Sequence, residues 1–256
     1  MRIPLQPSSP QGTPSLPRRA LAEFTGTGAL VAVVVGSGIR ADTLSRDLGV
    51  RLLANAGASA LGLGLLITLL GPISGAHLNP VVTLSTWWAE RPRGGGREAA
   101  AHLRGGGREI AAYLGAQCAG ALAGALLAEA MFGRAPGHWG SAPLATPPLL
   151  LGETVATAGL VLVVRGLGHI GRPSLAPVAV GAYIGAAIWS TSSGSFANPA
   201  ATLGRSLTDS LTGIAPSSVP AFVLAQFLGA VAGTALAGAL YGKSRTGKEP
   251  DNPMNR

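Results

Sequence analysis

The sequence predicts an all-α protein that crosses a membrane six times and carries two additional half-helices. Three observations predict this fold: the composition, the length of the apolar segments, and an Asn-Pro motif that occurs twice. Of the 256 residues, 47% are hydrophobic and only 12% are charged, and this charged fraction is about half that of an ordinary soluble domain. Many of the 38 glycines stand within apolar runs beside alanine, as is typical of membrane helices that approach one another closely.

Six apolar segments have about the 20 residues that a helix needs to cross a bilayer. They are Ala20–Ile39, Leu52–Leu70, Ile110–Phe132, Leu149–Val164, Leu175–Ser190 and Val219–Tyr241. The first follows Arg18 and Arg19, but it is too long for the core of a cleaved signal peptide, so we expect it to remain as a helix. Two shorter apolar pieces, Asn79–Trp88 and Asn198–Leu207, cannot cross and are expected to be half-helices entered by re-entrant loops.

The chain divides into one membrane domain, residues 18–242, between two tails. Residues 1–17 are rich in Pro, Ser and Gln and are expected to be disordered, and residues 243–256 form a flexible basic tail. Before the third span, RGGGREAAAHL is followed by RGGGREIAAYL, which indicates a tandem duplication over residues 93–114 that lengthens this connection.

The formal net charge of +8 is distributed as in a membrane protein. The basic residues form short clusters between apolar runs with few aromatics among them, so a nucleic-acid partner is not expected. With the N-terminus inside, fourteen of the nineteen Lys and Arg residues fall on the inner side. This bias predicts a multi-pass protein of the cell inner (plasma) membrane, surrounded by lipid, with both termini in the cytoplasm.

The two halves of the chain, about residues 18–135 and 147–242, repeat each other. Three pairs of segments correspond: Glu23–Thr27 with Glu153–Thr157, Gly75–Thr83 with Gly194–Thr202, and Ala116–Ala121 with Ala225–Ala230. Each half contains three spans, and an odd number means that the second half is inserted upside down relative to the first. The two Asn-Pro loops then enter from opposite sides and can meet near the middle of the membrane.

The Asn-Pro pairs Asn79-Pro80 and Asn198-Pro199 are suited to begin a helix at membrane depth. An Asn side-chain oxygen caps the first free N–H groups, and Pro is tolerated at the next position. Two facing helix starts bring two positive dipole ends together, with the Asn amide N–H groups free to donate to a passing oxygen. The expected carbonyl ladder leading there is formed by Gly75, Ala76, His77, Gly194, Ser195 and Phe196. A small uncharged hydroxylated solute would pass, whereas a cation would meet an electrostatic barrier.

At these residues the chain resembles the major intrinsic protein family, the aquaporins and aquaglyceroporins. The loops Ser74–Thr83 and Gly194–Thr202 and the paired Glu23 and Glu153 carry the resemblance, which covers about residues 18–242. It implies an aquaporin-like right-handed bundle of six transmembrane helices with two re-entrant half-helices, assembled as a homotetramer with one pore per subunit. It also implies a passive channel for small neutral solutes, with Glu23 and Glu153 buried and bracing the re-entrant loops.

The resemblance also locates a selectivity filter, and here the sequence departs from the family pattern. The family usually has an arginine three residues after the second Asn, where this chain has Ala201. By the family spacing the other filter positions are Ser59, Ala186 and Ser195. This small, uncharged set predicts a wide filter. Arg205 lies one turn further along, and we do not expect it to replace the missing arginine.

The second departure is Val81, which stands where the family usually has alanine in the first motif, a change that keeps the cap. Bacterial family members associated with arsenic resistance are similar in having a small residue at the arginine position and a Phe-Ala-Asn-Pro-Ala motif like Phe196–Ala200. The similarity suggests arsenite or methylated arsenicals as solutes beside water and glycerol-like polyols.

The competing interpretations are a secondary transporter and a membrane enzyme. Transporters are also built from inverted repeats with broken helices, but they normally need ionisable residues for coupling. The intramembrane acids are Glu23 and Glu153, which the repeat explains, and Glu129, which is expected at the membrane interface. No catalytic set, cofactor motif or metal-ligand spacing is present, and Cys118 is the single cysteine. A channel without catalytic residues, metal or cofactor is therefore predicted.

Overall fold

The computed structural model describes residues 13–90, 97–135 and 137–242, so most of the N-terminal tail, the C-terminal tail and the start of the duplicated segment lie outside the described residues. Within those ranges the chain forms eight α-helices. They are α1 (Leu16–Leu44), α2 (Leu48–Ser74), α3 (Pro80–Glu90), α4 (Arg97–Met131), α5 (Pro147–His169), α6 (Ala176–Ser190), α7 (Pro199–Arg205) and α8 (Val219–Tyr241).

Six of these helices are long and apolar enough to cross a membrane, α6 together with the 3-10 turn Pro173–Leu175 that precedes it, which confirms the predicted spans. The short helices α3 and α7 are the two half-helices. Most boundaries extend beyond the predictions, and α1 begins at Leu16, within the stretch expected to be a disordered tail. Helix α4 begins at Arg97, while its apolar part starts at Gly106. The second copy of the duplicated segment is therefore helical and continuous with the third span.

The end of α2 places the loop that leads to the first half-helix. The helix is capped at its start by Asp47, whose carboxylate accepts a hydrogen bond from the Val50 N–H at 2.9 Å. It stops at Gly75, which has a left-handed φ of 87° that glycine adopts without steric cost. The chain then runs through an extended loop to Pro80 instead of continuing as a helix.

The two halves pack their helices in the same way, as an inverted repeat requires. Helix α1 packs along α4, and α5 packs along α8. Both contacts are made at glycines: Gly124 lies against the carbonyl oxygen of Gly28, and Gly229 against that of Thr154, with no space for a Cβ at either glycine. Backbones approach this closely only where side chains are absent, which is how membrane helices gain van der Waals contact.

The centre of the bundle contains buried polar side chains among the apolar ones. Glu23, Gln117, Glu153 and Gln226 are fully buried and belong to corresponding positions of the two halves. In a medium without water such groups need hydrogen-bond partners within the protein. These side chains are therefore the ones that position the pore loops.

Glu129 lies two residues before the end of α4, as expected for a residue near the membrane interface, but its exposed fraction is 0%, so the protein itself covers it. The Thr208 hydroxyl donates to its carboxylate, and the Arg134 Nε lies 2.9 Å from its Oε2. The segment that follows α7, Ser206–Ile214, folds over the end of α4 and removes the carboxylate from solvent.

Candidate functional site

The N-termini of the two half-helices meet in the interior, each capped by its own asparagine. The Asn79 Oδ1 accepts a hydrogen bond from the Val81 N–H at 3.0 Å. The Asn198 Oδ1 accepts from the N–H groups of Ala200 and Ala201 at 3.0 and 3.1 Å. Both caps are therefore formed as the sequence predicts, and the positive ends of α3 and α7 point to the same region.

The two asparagines also tie the half-helices together. The Asn79 Nδ2 donates to the Ala197 carbonyl at 2.7 Å, and the Asn198 Nδ2 donates to the Leu78 carbonyl at 2.8 Å. The expectation that these amides are free for solute is thus corrected: one N–H of each is used between the loops. Since a carboxamide has two N–H groups, one per asparagine remains for a solute.

The loops before the caps have an unusual backbone that is the same in both halves. Ala76 and Leu78 have φ values of 46° and 50°, and Ser195 and Ala197 have 47° and 49°. A left-handed conformation at a residue other than glycine costs of the order of 1 kcal/mol or more. Such a backbone persists only if surrounding bonds hold it.

Glu23 supplies those bonds for the first loop. Its Oε1 accepts from the Ser74 hydroxyl at 2.6 Å and from the His77 N–H at 3.0 Å. Its Oε2 accepts from the Leu78 N–H at 2.6 Å and from the Gln117 Nε2 at 2.8 Å. Four hydrogen bonds thus satisfy a carboxylate that has no contact with solvent.

Glu153 has the equivalent place in the second loop. It accepts from the Phe196 N–H at 3.1 Å, from the Ala197 N–H, and from the Gln226 Nε2 at 2.8 Å. Gln226 also donates to the Thr202 hydroxyl of α7 at 2.7 Å. Each glutamate, with a glutamine from the third span of its half, therefore connects a span, a loop and a half-helix.

A cavity of about 270 Å³ lies where the two loops meet. Its lining includes all seven residues expected at the pore centre: Gly75, Ala76, His77, Asn79, Gly194, Phe196 and Asn198. The rest of the wall comes mainly from α1, α2, α5 and α6, with apolar side chains such as Leu30, Leu63, Leu160 and Val180. The cavity therefore has a polar strip formed by the loops, while its other walls are mainly apolar.

Three of the four expected filter residues line this cavity: Ser59, Ser195 and Ala201. The hydroxyls of Ser59 and Ser195 are buried, and neither has a hydrogen-bond partner among the described residues. A buried hydroxyl without a partner costs free energy, so a solute oxygen in the cavity would relieve that cost at both serines.

The fourth expected filter residue, Ala186, does not reach the cavity. It is exposed on the surface of α6, while Val180, Ile184 and Ile188 of the same helix line the wall. The reason is helical phase: residues four apart share a face, and a residue two positions from Ile184 and Ile188 points about 160–200° away. The prediction based on sequence spacing was wrong here, and isoleucines occupy this wall.

Three polar residues of the lining were not expected there: Asn55, Thr86 and Arg205. Asn55 lies one turn before Ser59 on α2, and Arg205 lies one turn after Ala201 on α7. The guanidinium carbon of Arg205 is 3.2 Å from the centre of the Phe196 ring. The four-residue spacing is the sequence signal that could have identified Asn55 and Arg205, since it places them on the same helix face as a predicted filter residue.

A second cavity, of about 560 Å³, lies on the side of the bundle where α1 begins. It shares Gly75, His77 and Thr86 with the first cavity. Arg19 at its edge forms an ion pair of 2.6 Å with Glu109, from the second copy of the duplicated segment. The first cavity therefore continues toward the side of the termini along the loop of the first half.

Comparison with known proteins gives consistent results. The model of the major intrinsic protein family matches residues 12–192. The chain is 45% identical over 221 residues to the aquaglyceroporin AqpS of Rhizobium meliloti, covering 86% of this chain and 89% of that protein. It is 32% identical over 249 residues to a probable aquaporin, AqpM, of Archaeoglobus fulgidus, covering 86% and 95%.

Among solved structures, the X-ray structure of the aquaglyceroporin from Plasmodium falciparum superposes with a TM-score of 0.62. The match covers 87% of this chain and 94% of that chain at 19% sequence identity. At this level of identity the similarity concerns the fold, and it agrees with the arrangement of six spans and two half-helices described above.

Proposed function

The chain belongs to the major intrinsic protein family, whose aquaporins are channels and not enzymes, and on that premise we propose that it conducts small uncharged solutes through a wide filter. Water and glycerol-like polyols are the expected solutes. The observation that carries the proposal is the cavity between the Asn79 and Asn198 caps, beside which Ser59, Ser195 and Ala201 are all small and uncharged.

The geometry suits a neutral solute with hydroxyl groups. The free amide N–H of each asparagine and the positive ends of α3 and α7 act as donors to an oxygen. The hydroxyls of Ser59 and Ser195 can donate or accept. The apolar wall opposite the loops offers no competing hydrogen bond, so a solute passes with its oxygens toward the loops.

The small side chain of Ala201 removes a restriction at the second half-helix. A side chain of one carbon at this position leaves room that an arginine would occupy. We therefore extend the proposed solutes to arsenite and methylated arsenicals in their uncharged forms, which are larger than water. This extension depends on the resemblance to arsenic-associated family members and on the width of the filter.

A coupled secondary transporter is less well supported. Among the described residues that line the two cavities, the first has no Asp or Glu, and the second has Glu109, which is paired with Arg19. A coupling ion would therefore find no unpaired carboxylate along this path. We propose a passive pore, driven by the solute gradient alone.

We also propose that the protein forms a homotetramer in the cell inner (plasma) membrane, with both termini in the cytoplasm. The six spans place the two termini on the same side, and the excess of Arg and Lys on that side supports the orientation. The exposed apolar residues of α2, among them Leu53, Leu61, Leu65 and Leu69, form a surface suited to lipid or to a neighbouring subunit.

The test is stopped-flow light scattering on proteoliposomes with water, glycerol, arsenite and a methylated arsenical. Native protein is compared with Ala201→Arg and with Ala201→Leu, which adds size without charge. We expect Ala201→Arg to reduce passage of glycerol and the arsenicals by about tenfold or more, while water changes about twofold, because the arginine occupies room that the larger solutes need. A tenfold slower passage corresponds to a barrier that is higher by about 1.4 kcal/mol. An equal loss for all solutes, or no change, would remove Ala201 from the basis of selectivity.

A further inference from the structure

Arg205, at the end of α7, places a positive charge in the pore. Among the described residues that line the cavity, it is the only Arg, Lys, Asp or Glu. It lies four residues after Ala201, which corresponds to about 6 Å along a helix axis on the same face. The charge is therefore beside the wide position and further from the asparagine caps.

Two contacts hold the guanidinium group of Arg205 in place. It stacks on Phe196, with the guanidinium carbon 3.2 Å from the ring centre. Its Nε donates to the Thr212 carbonyl. Neither contact uses the terminal Nη atoms, which donate to no oxygen among the described residues. Their N–H groups are available to an oxygen of a solute in the cavity.

The segment that contains Thr212 is itself anchored at several points. The Ile214 N–H donates to the Arg205 carbonyl at 3.3 Å, and the Leu211 N–H donates to Asp42 at 3.2 Å. Ser210 is hydrogen-bonded to both Thr208 and Thr212 at 3.1 and 3.2 Å. Thr208 donates in turn to the buried Glu129. A chain of contacts thus connects the end of α4 to the group that binds Arg205.

Two buried carboxylates on this side of the bundle, Glu129 and Glu153, are already occupied by other partners. Glu129 is paired with Arg134 at 2.9 Å. Glu153 accepts from two backbone N–H groups and from Gln226. Neither is hydrogen-bonded to Arg205. Glu153 therefore acts on Arg205 through its charge and not through a hydrogen bond, and the terminal Nη groups of Arg205 stay available to a solute in the cavity.

We propose that Arg205 is the specificity-determining cation of this pore. It excludes cations and binds the oxygens of entering solutes, while its place one turn beyond Ala201 keeps the filter wide. The favoured solutes are small neutral molecules with acceptor oxygens, and small organic cations of the same size are rejected. This inference rests on the proposed channel function, because it assigns a selectivity to that same pore.

The test uses urea and guanidinium, which have nearly the same size and planar shape but differ in charge. Labelled uptake of each is measured in proteoliposomes, with the membrane potential held at zero by valinomycin and equal potassium. We expect native protein to pass urea and exclude guanidinium. In Arg205→Met the guanidinium-to-urea flux ratio should rise about tenfold or more, because the contribution of Arg205 to the Coulomb barrier is removed. Arg205→Lys should keep the native ratio.

Arg46→Met is the matched control, since Arg46 is exposed and outside the cavity, and its ratio should stay at the native value. Arg205→Gln is the second removal variant, because its amide can still donate to the Thr212 carbonyl and so preserve the loop. Arg205→Met combined with Ala201→Arg moves the charge one turn. It should restore exclusion of guanidinium and reduce the flux of glycerol.

The outcomes separate the two proposals. A native protein that passes neither water nor urea contradicts the channel function and this inference with it. A native protein that passes urea, with a flux ratio unchanged in Arg205→Met or in Arg205→Gln, contradicts only the role of Arg205. A rise in the ratio of equal size in Arg46→Met would also overturn it, since the effect would then come from net charge at the surface.

Discussion

At the residue scale, the pore centre depends on side chains that bind several partners at once. Asn79 caps α3 and donates to the opposite loop, and Asn198 does the same for α7. Glu23 and Glu153 hold the backbone of the loops before these caps. A change at one of these residues therefore affects the cap, the loop and the pore together.

Glu153→Gln is expected to destabilise the second loop. The substitution keeps the shape of the side chain but replaces one acceptor oxygen by an NH₂ group. A donor that faces this NH₂ group then has no acceptor. Leaving buried donors without an acceptor costs about 1–3 kcal/mol. We expect a clearly lower midpoint of thermal unfolding in detergent, measured by size-exclusion chromatography of heated samples. We also expect lower water permeability in proteoliposomes.

Glu109→Gln is the control for Glu153→Gln. Glu109 is 39% exposed and pairs with Arg19, and such a pair is worth about 1 kcal/mol or less. The unfolding midpoint of Glu109→Gln should stay close to that of the native protein. If Glu153→Gln unfolds at the same temperature as Glu109→Gln, the carboxylate is not what holds the loop.

Residues that the repeat made recognisable were located well from the sequence, and residues that depend on helical phase or on a distant loop were not. Glu23 and Glu153 correspond between the halves, so each supports the interpretation of the other. Ala186 was placed by counting along the chain, although the pore face of α6 recurs every four residues. Glu129 is buried by a segment that follows it by about eighty residues, and no local pattern indicates that contact.

At the element scale, the close helix pairs α1–α4 and α5–α8 form the frame of each half. Their contacts are made through glycines whose missing side chains let backbone meet backbone. The sequence shows only that these helices are rich in glycine, and the structure shows which glycines face a neighbouring helix. Gly124 and Gly115 of α4 illustrate the difference, because only Gly124 faces α1.

Gly124→Ala is expected to separate α1 from α4. A Cβ at this position would overlap the carbonyl oxygen of Gly28, which is backbone and cannot rotate away. Overpacking of this kind costs about 1–3 kcal/mol. This weakened packing of α1 against α4 should lower the unfolding midpoint of the variant and the yield of folded protein from detergent extracts.

Gly115→Ala in the same helix is the matched control, since a Cβ there would meet nothing within 4 Å. Alanine favours a helix over glycine by about 1 kcal/mol, so this variant should be as stable as the native protein or slightly more so. If Gly124→Ala is as stable as Gly115→Ala, the close contact at Gly124 is not what holds α1 against α4.

At the scale of the whole molecule, three spans per half set the arrangement of the pore. The odd number inverts the second half, so that α3 and α7 enter from opposite sides and meet at their N-termini. The meeting point then has two positive dipole ends and loops from both halves. A single copy of the motif could not form this site, because each asparagine donates to the loop of the other half.

The proposed orientation predicts which loops can be labelled from outside the cell. In a background with Cys118→Ser, Arg46→Cys lies in the connection between α1 and α2, and Arg172→Cys lies between α5 and α6; both positions are exposed. A membrane-impermeant maleimide should label Arg46→Cys in intact cells, and Arg172→Cys only after permeabilisation. The reverse pattern would place the termini outside.

The sequence by itself determined the six spans, the inverted repeat, the two caps and the paired glutamates, because apolar length and a repeated motif are local properties of the chain. Only the tertiary structure decided which side chains face the pore: it placed Arg205 and Ile188 in the wall, turned Ala186 outward and buried Glu129. The physical reason is that the direction in which a side chain points depends on helical phase and on contacts between segments far apart in sequence. Spacing along one segment does not contain either of these.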